Sequence, residues 1–138
     1  MVMDKALARQ VRRRAGFACE YCRLPERVHP GVFEIEHIIS RQHGGQTILN
    51  NLAFSCLRCN RVKGPNLSGV DRQRSGGRLV PLFNPRRNRW AVHFRWNGPE
   101  LIGRTAVGRV TIQVLQINDP LRVELRAKLI AEGVILPP

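Results

Sequence analysis

The sequence predicts an α+β fold, in which short strands and helices are grouped around a set of cysteines. Three observations lead to this prediction. Two Cys-x-x-Cys pairs, at 19–22 and 56–59, enclose two stretches with the pattern of short strands. A short helical stretch begins within the second pair, which gives the order strand, loop, strand, helix. A hairpin signal and two helical stretches follow in the second half of the chain.

The chain is expected to begin with a helix over residues 5–14. Asp4 can accept hydrogen bonds from the free N–H groups of its first turn, and Gly16 is a residue typical of helix ends. Leu7 and Val11 are four residues apart, which places them on one side of a helix. We therefore expect this side to face the core.

Two strands and a helix are expected between the first cysteine pair and residue 65. Residues 32–37 alternate between apolar and polar side chains, as half-buried strands do. Residues 41–50 contain two consecutive glycines and predict a loop, and the apolar run at 52–55 predicts a second strand. A short helix over 57–63 would then be stopped by Gly64-Pro65.

The second half of the chain is expected to contain a hairpin. Residues 65–78 are rich in Gly, Ser and charged residues and predict a loop. Strands are predicted over 79–83 and 90–96. The Asn97-Gly98 pair is a strong signal for a tight turn, so residues 100–103 are predicted to return beside the second of these strands.

Two helices are expected at the C-terminal end. Thr105 can cap the first, whose apolar residues recur at helical spacing: Val107, Val110, Val114 and Ile117. The Asp119-Pro120 pair starts the second, because aspartate is a favoured cap and proline suits the first helical position. Its buried stripe is predicted to be Leu121, Leu125 and Leu129, and Gly133 its end.

The four cysteines have the spacing of a structural zinc site. Two thiolates separated by two residues can hold one ion from a tight turn, and a second pair completes a tetrahedron with Zn–S bonds of about 2.3 Å. Disulfides are the alternative, with three possible pairings. Residues 1–5 include the charged Asp4 and Lys5 and no apolar stretch follows, so we expect a cytoplasmic protein, in which disulfides are disfavoured. The predicted zinc ligands are Cys19, Cys22, Cys56 and Cys59.

Composition points to a polyanionic partner. The 138 residues suit one domain, and 23 Lys and Arg oppose 10 Asp and Glu, a net charge of +13. All but three of the basic residues are arginines, whose planar fork grips phosphate with two hydrogen bonds. No apolar run approaches the roughly 20 residues of a membrane span. We therefore expect nucleic acid as the partner, and no membrane.

The run from Glu36 to Gly64 resembles the HNH endonucleases, in the branch with two zinc-binding Cys-x-x-Cys pairs. It contains EHIIS, HGG and NNLAFSCLRCNRVKG in that order. The later segments LFNPR, WAVHFRW and GRTAVGRVT are similar to the tail of small bacterial HNH proteins. The resemblance implies a ββα-metal core and metal-dependent hydrolysis of phosphodiester bonds, with double-stranded DNA as the expected substrate.

The resemblance also implies roles for individual residues. His37 matches the general base that deprotonates the attacking water, and Asn51 matches the residue that pins the loop between the strands. Glu36 and Asn60 match the ligands of a catalytic Mg²⁺ or Mn²⁺. Two positions depart from the usual pattern: Glu36 stands where aspartate is more common, and Ser40 where many members have proline.

Elementary chemistry supports these roles. A histidine with an ordinary pKa near 6.5 is a suitable base at neutral pH. Oxygen ligands favour Mg²⁺ or Mn²⁺ over Zn²⁺. Adjacent strand residues point to opposite faces, yet Glu36 and His37 have to serve one site, so we expect a strand end or a bulge there.

Several basic residues are candidates for contact with phosphates, although a plain solvated surface is an alternative for each. They are His43, Arg58, Arg61 and Lys63 in the first half, and Arg86, Arg87 and Arg89 in the second. Trp90, Phe94 and Trp96 are expected to be core residues rather than platforms for stacked bases. We expect a single domain over 1–138, with a zinc-stabilised core at 17–75 and an extension at 76–138 that packs on it. A zinc-stabilised binding module without cleavage activity is the competing function.

Overall fold

The structure is a computed structural model that describes residues 3–29, 32–74 and 76–138. It is of the α+β class and divides into two compact units, Met1–Pro65 and Asn66–Pro138. The predicted core at 17–75 and extension at 76–138 stay a prediction, and Ser75 lies outside the described residues. Across the described ranges, none of the helices has the length and apolar character needed to cross a membrane.

The first unit begins with helix α1, Lys5–Arg14, as predicted. The Asp4 carboxylate accepts a hydrogen bond of 2.9 Å from the N–H of Ala6, which satisfies one of the free donors of the first turn. Gly16 follows the helix with a φ of 65°, in the left-handed region where glycine is favoured. Val11 is fully buried and Leu7 packs beside it, so the predicted inner side is confirmed.

Strands β1, Phe33–His37, and β2, Leu52–Cys56, form an antiparallel pair. Each lies within one residue of its predicted bounds. Helix α2, Leu57–Lys63, follows β2 directly, so the predicted ββα order is confirmed. Both α1 and α2 contact the strand pair.

The two faces of β1 are used differently. Phe33 stacks on Phe54 of β2 with ring centroids 5.1 Å apart, and both belong to an apolar core with Val11 of α1. Glu34 and Glu36 alternate with these apolar residues and meet polar side chains of α2. The alternation predicted from the sequence therefore separates a packed face from a polar one.

The second unit contains a strand pair that the sequence did not predict. Strand β3, Ser68–Val70, lies in the segment expected to be loop and pairs with β4, Leu79–Pro81. The tertiary environment holds β3, because the Val70 carbonyl accepts a hydrogen bond of 2.9 Å from Gln113. Gly69 packs so closely on Val110 and Val114 that a Cβ there would lie 2.8 Å from a methyl group.

The strand predicted over 90–96 is wrong in its first half. Trp90–His93 forms one helical turn, α3, and only then does strand β5, Phe94–Asn97, begin. The turn places the Trp90 ring 5.2 Å from that of Phe94 and 5.9 Å from that of Trp96. Trp90 and Phe94 are buried as expected, and packing among these rings overrides the apparent alternation.

The remaining elements follow the prediction closely. Strand β6, Glu100–Gly103, pairs with β5 across the Asn97-Gly98 turn. Helix α4, Ala106–Leu115, is capped by Thr105, and helix α5, Pro120–Ala131, is capped by Asp119. In both cases the capping side chain accepts a hydrogen bond from a backbone N–H of the first turn.

The predicted apolar stripe of α5 is wrong at its start. Leu121 is 70% exposed, whereas Arg122 and Arg126 are buried. The Arg122 guanidinium donates to the Leu115 carbonyl at 2.8 Å, and Arg126 donates to the Ile117 carbonyl at 2.9 Å. The carbonyls at the end of α4 need donors, and the two arginines supply them in place of apolar packing.

Candidate active site and zinc centre

The four cysteines converge on one point in the first unit. Their sulfur atoms all lie within 4.8 Å of one another, and the residues are buried. None of the four forms a disulfide. The Cys22 and Cys56 sulfurs are 3.7 Å apart. Tetrahedral Zn²⁺ with Zn–S bonds of 2.3 Å separates its sulfurs by about 3.8 Å, so this cluster is positioned to bind zinc.

Local backbone geometry orients both pairs. The N–H of Cys22 points at the Cys19 sulfur at 3.5 Å, and the N–H of Cys59 points at the Cys56 sulfur at 3.4 Å. The second pair spans the junction of β2 and α2. Burial raises the pKa of the Cys19 and Cys59 thiols well above the usual value. A zinc ion replaces those protons, so its binding is coupled to folding.

The two residues between the first cysteines connect the zinc centre to the strands. The Glu20 carboxylate accepts from the Phe54 N–H at 2.8 Å, and the Glu20 N–H donates to the Phe54 carbonyl at 2.9 Å. The Tyr21 hydroxyl donates to the Glu36 carboxylate, and Tyr21 is fully buried. The cysteine turn is therefore fixed to both β1 and β2.

His37 is the last residue of β1 and is partly exposed. Its Nε2 lies 2.8 Å from the Thr47 hydroxyl, which also accepts a hydrogen bond of 3.2 Å from Arg41. The register with β2 runs without a bulge to His37, so the irregularity expected here is a strand end. Partial burial lowers the pKa of His37, and the positive charge of Arg41 lowers it further. Both effects favour the neutral imidazole over the protonated one.

Asn51 closes the loop that leads from β1 to β2. Its amide nitrogen donates to the Ile39 carbonyl at 3.0 Å and to the Gln46 carbonyl at 2.9 Å. Its amide oxygen accepts from the Ile39 N–H at 2.9 Å. These three bonds hold both ends of the loop that carries Thr47, the partner of His37.

Glu36 is 5% exposed and already has two partners. One carboxylate oxygen accepts the Tyr21 hydroxyl, and the other lies 3.5 Å from the Lys63 ammonium. Burial raises the pKa of Glu36, and the Lys63 ammonium and the Tyr21 hydrogen bond oppose that rise. The ion pair compensates a carboxylate that would otherwise be costly to bury.

Asn60 lies one helical turn before Lys63 and forms its hydrogen bond with Glu34, not with Glu36. The two predicted ligands of the catalytic ion thus come from neighbouring elements, but each has another partner. Carboxylate and amide oxygens suit Mg²⁺ or Mn²⁺ in kind. At Glu36, however, the Lys63 ammonium already pairs with the carboxylate.

The basic candidates differ in exposure. His43, Arg58 and Arg61 of the first unit are exposed, and so are Arg87 and Arg89 of the second, where Arg86 is partly buried. Lys63 is 2% exposed, which contradicts the expected surface contact with phosphate. Its position is explained by the buried Glu36 carboxylate and by the Ile38 carbonyl, which accepts from the ammonium at 2.9 Å.

Comparison with known proteins agrees with this geometry. Residues 19–66, which hold the cysteines, the loop and the ββα elements, match the family model described as HNH endonuclease. These residues form an HNH domain. Septu protein PtuB of Bacillus thuringiensis is 27% identical over 103 residues, which cover 73% of this chain and 37% of that protein. The chain thus spans little more than a third of its relative. No solved structure matches it significantly.

Three residues of the HNH domain that contact predicted site residues were not predicted to do so from the sequence. Lys63 is three residues after Asn60 and hence on the same side of α2, which is a signal for a shared face. Glu34 is two residues before Glu36 and hence on the same face of β1. Thr47 lies in an irregular loop, where no periodicity exists to place it beside His37.

Proposed function

We propose that this protein is a metal-dependent endonuclease that hydrolyses phosphodiester bonds, with double-stranded DNA as its substrate. The single observation that carries the proposal is the position of His37 within the HNH domain. It ends β1, is partly open to solvent and faces a loop closed by Asn51. A binding protein has no need of an oriented, neutral imidazole at this place.

In this proposal, His37 accepts the proton of the attacking water. The neutral ring has one nitrogen free of a proton, and its lowered pKa keeps that form dominant at pH 7. Thr47 holds the ring through Nε2. Asn51 acts through the loop and not on the substrate, because its amide is engaged entirely with backbone atoms.

The zinc centre would have a structural role and a second ion a catalytic one. Zn²⁺ on the four cysteines would fix β2 and α2 together with the turn that carries Tyr21. Asn60 and Glu36 would hold Mg²⁺ or Mn²⁺. Such an ion, when bound, relieves negative charge on the phosphate. Its ligand oxygens come from α2 and β1, on the face opposite the apolar core.

Electrostatics favours a nucleic acid as the substrate. The net charge of +13 would attract a polyanion at long range. Exposed Arg58 and Arg61 on α2 are the nearest candidates in sequence to Asn60, and His43 lies on the pinned loop. Arg86, Arg87 and Arg89 would add phosphate contacts from the second unit.

A plasmid assay tests the proposal. Purified, zinc-loaded protein is incubated with supercoiled plasmid in Mg²⁺, Mn²⁺ or EDTA, and the nicked and linear products are measured. We expect cleavage with at least one divalent ion and none with EDTA. An absence of cleavage with every ion, together with retained binding to DNA, would contradict the proposal.

The second candidate is a zinc-stabilised nucleic-acid-binding module without cleavage activity of its own. The pairing of Glu36 with Lys63 favours it, because the described arrangement leaves neither carboxylate oxygen open. The same plasmid assay separates the two functions. A binding module shifts the mobility of the plasmid in every buffer and leaves it supercoiled.

A further inference from the structure

A buried ion pair lies where the proposed catalytic ion would bind. The Lys63 ammonium is 3.5 Å from the Glu36 carboxylate, and the two side chains are 2% and 4% exposed. Lysine is almost never fully buried unless it is paired. The Ile38 carbonyl fixes the ammonium at 2.9 Å, at the point where β1 ends. The pair is thus a built feature of the HNH domain and not a surface contact.

Within residues 3–29, 32–74 and 76–138, Lys63 is the cation that pairs with Glu36. Tyr21 donates its hydroxyl hydrogen bond to one carboxylate oxygen, and the Lys63 ammonium forms an ion pair with the other. Removal of the ammonium would leave a buried carboxylate without compensation, which is strongly unfavourable. Any cation that replaces Lys63 at this position removes that penalty.

We propose that Lys63 is a positioning residue that occupies the Glu36 carboxylate until a divalent ion replaces it, so that Lys63 sets the affinity for that ion. This inference rests on the proposed function and deepens it. The exchange keeps Glu36 compensated in both states, since one cation leaves as another arrives. The four-carbon stem of lysine permits the ammonium to withdraw while the backbone of α2 stays in place.

The exchange has a measurable consequence. When only a fraction of the protein has an open Glu36, the apparent affinity for the ion is reduced by that fraction. A variant without the ammonium has Glu36 open in every molecule. If Glu36 is open in about a tenth of wild-type molecules or fewer, removal of the competing ammonium raises the affinity for the ion at least tenfold.

The test is a titration of zinc-loaded, full-length protein with Mn²⁺ in the absence of DNA, followed by the electron paramagnetic resonance signal of the free ion. Lys63→Met keeps the length of the side chain and removes its charge. We expect it to bind Mn²⁺ at least tenfold more tightly than wild type. Lys128→Met is the matched control, because Lys128 also faces a glutamate, at 3.6 Å, but on the exposed surface of α5. It is expected to stay within twofold of wild type.

Two further variants make the result decisive. In Lys63→Met with Glu36→Gln, the gain in affinity is expected to vanish. Lys63→Arg, which keeps the charge, is expected to bind Mn²⁺ several-fold more weakly than wild type, because a guanidinium grips a carboxylate with two donors. Lys63→Arg also tests the proposal by itself if Lys63→Met fails to fold and retain zinc. Unchanged or weaker binding by folded Lys63→Met, a gain that survives in the double variant, or tighter binding by Lys63→Arg would each overturn the proposal.

Because ion binding is measured without DNA, the outcome is separate from cleavage. A protein that never cuts plasmid, yet shows the gain in Lys63→Met, refutes the proposed endonuclease and supports the exchange at Glu36. A protein that cuts plasmid, yet shows equal affinity in wild type and folded Lys63→Met, supports the endonuclease and refutes the exchange.

Discussion

Replacement of Asn51 by alanine is expected to destabilise the first unit and to reduce cleavage together. The side chain makes three hydrogen bonds to backbone atoms of the loop, at 2.9, 3.0 and 2.9 Å, and is 9% exposed. Each such bond contributes about 1 kcal/mol net, so the variant is expected to lose about 3 kcal/mol. For a chain of this size that corresponds to a fall in Tm of about 10 °C.

The second unit offers a matched control. Asn118 also makes three bonds: it donates to the Leu101 carbonyl at 2.7 Å, and accepts from the Leu101 N–H at 3.0 Å and from Arg126 at 3.1 Å. We expect Asn118→Ala to lose similar stability and to keep its cleavage rate. The two variants are expected to differ in cleavage because Thr47, which orients His37, lies in the loop that Asn51 holds.

The assay combines thermal unfolding with excess Zn²⁺ and plasmid cleavage at a temperature where both variants are folded. We expect Asn51→Ala to cut at least tenfold more slowly than wild type, since a misplaced general base loses much of a contribution of roughly 10²- to 10⁴-fold. A loss of less than about 1 kcal/mol, or a wild-type cleavage rate, would refute the reasoning about the loop.

Three other predictions follow from the same geometry. Removal of zinc by a chelator is expected to unfold the first unit, because a structural Zn²⁺ contributes on the order of 10 kcal/mol to the stability of small domains. Circular dichroism and metal analysis check this prediction, and a folded protein with less than half an equivalent of zinc would contradict it. The cleavage rate is expected to fall at acid pH as His37 gains a proton, with a midpoint below the usual pKa of histidine. Arg41→Gln is expected to move that midpoint to higher pH, and an unchanged midpoint argues against His37 as the general base. Affinity for DNA is expected to fall with salt, with a slope of log K against log[salt] near about −5 if roughly six phosphates are contacted; a flat dependence excludes mainly electrostatic binding.

Local signals in the sequence were enough to predict most of the elements. Asp4, Thr105 and Asp119 each cap the helix expected to follow them, because capping is a contact within one turn. The cysteine cluster was likewise predictable, since metal ligands impose their spacing on the chain. The order of β1, β2 and α2 followed from alternation and from the stop at Gly64-Pro65.

Features that depend on distant partners could not be predicted in this way. Strand β3 exists because Val70 and Gly69 meet α4, far along the chain. Arg122 and Arg126 are buried because the end of α4 needs donors, a requirement that no periodicity in α5 expresses.

The same limit applies at the candidate site. The resemblance to HNH endonucleases predicts Glu36 as a metal ligand. Burial and the contacts of Tyr21 and Lys63 determine what its carboxylate can bind. Those contacts join the cysteine turn, β1 and α2, so they exist only in the folded domain. A residue type at a motif position therefore indicates a role, and its neighbours decide how that role is carried out.

The central claim is that His37 acts as the general base, and a comparison of two histidine variants tests it most directly. His37 and His93 each contact a threonine hydroxyl, at 2.8 and 2.6 Å, but they belong to different units. Plasmid cleavage by His37→Ala and His93→Ala is measured with saturating divalent ion, alongside zinc content and DNA affinity. We predict that His37→Ala keeps its zinc and its affinity for DNA and cuts roughly 10²- to 10⁴-fold more slowly, while His93→Ala cuts at the wild-type rate. Cleavage by zinc-loaded His37→Ala at the wild-type rate would contradict the claim.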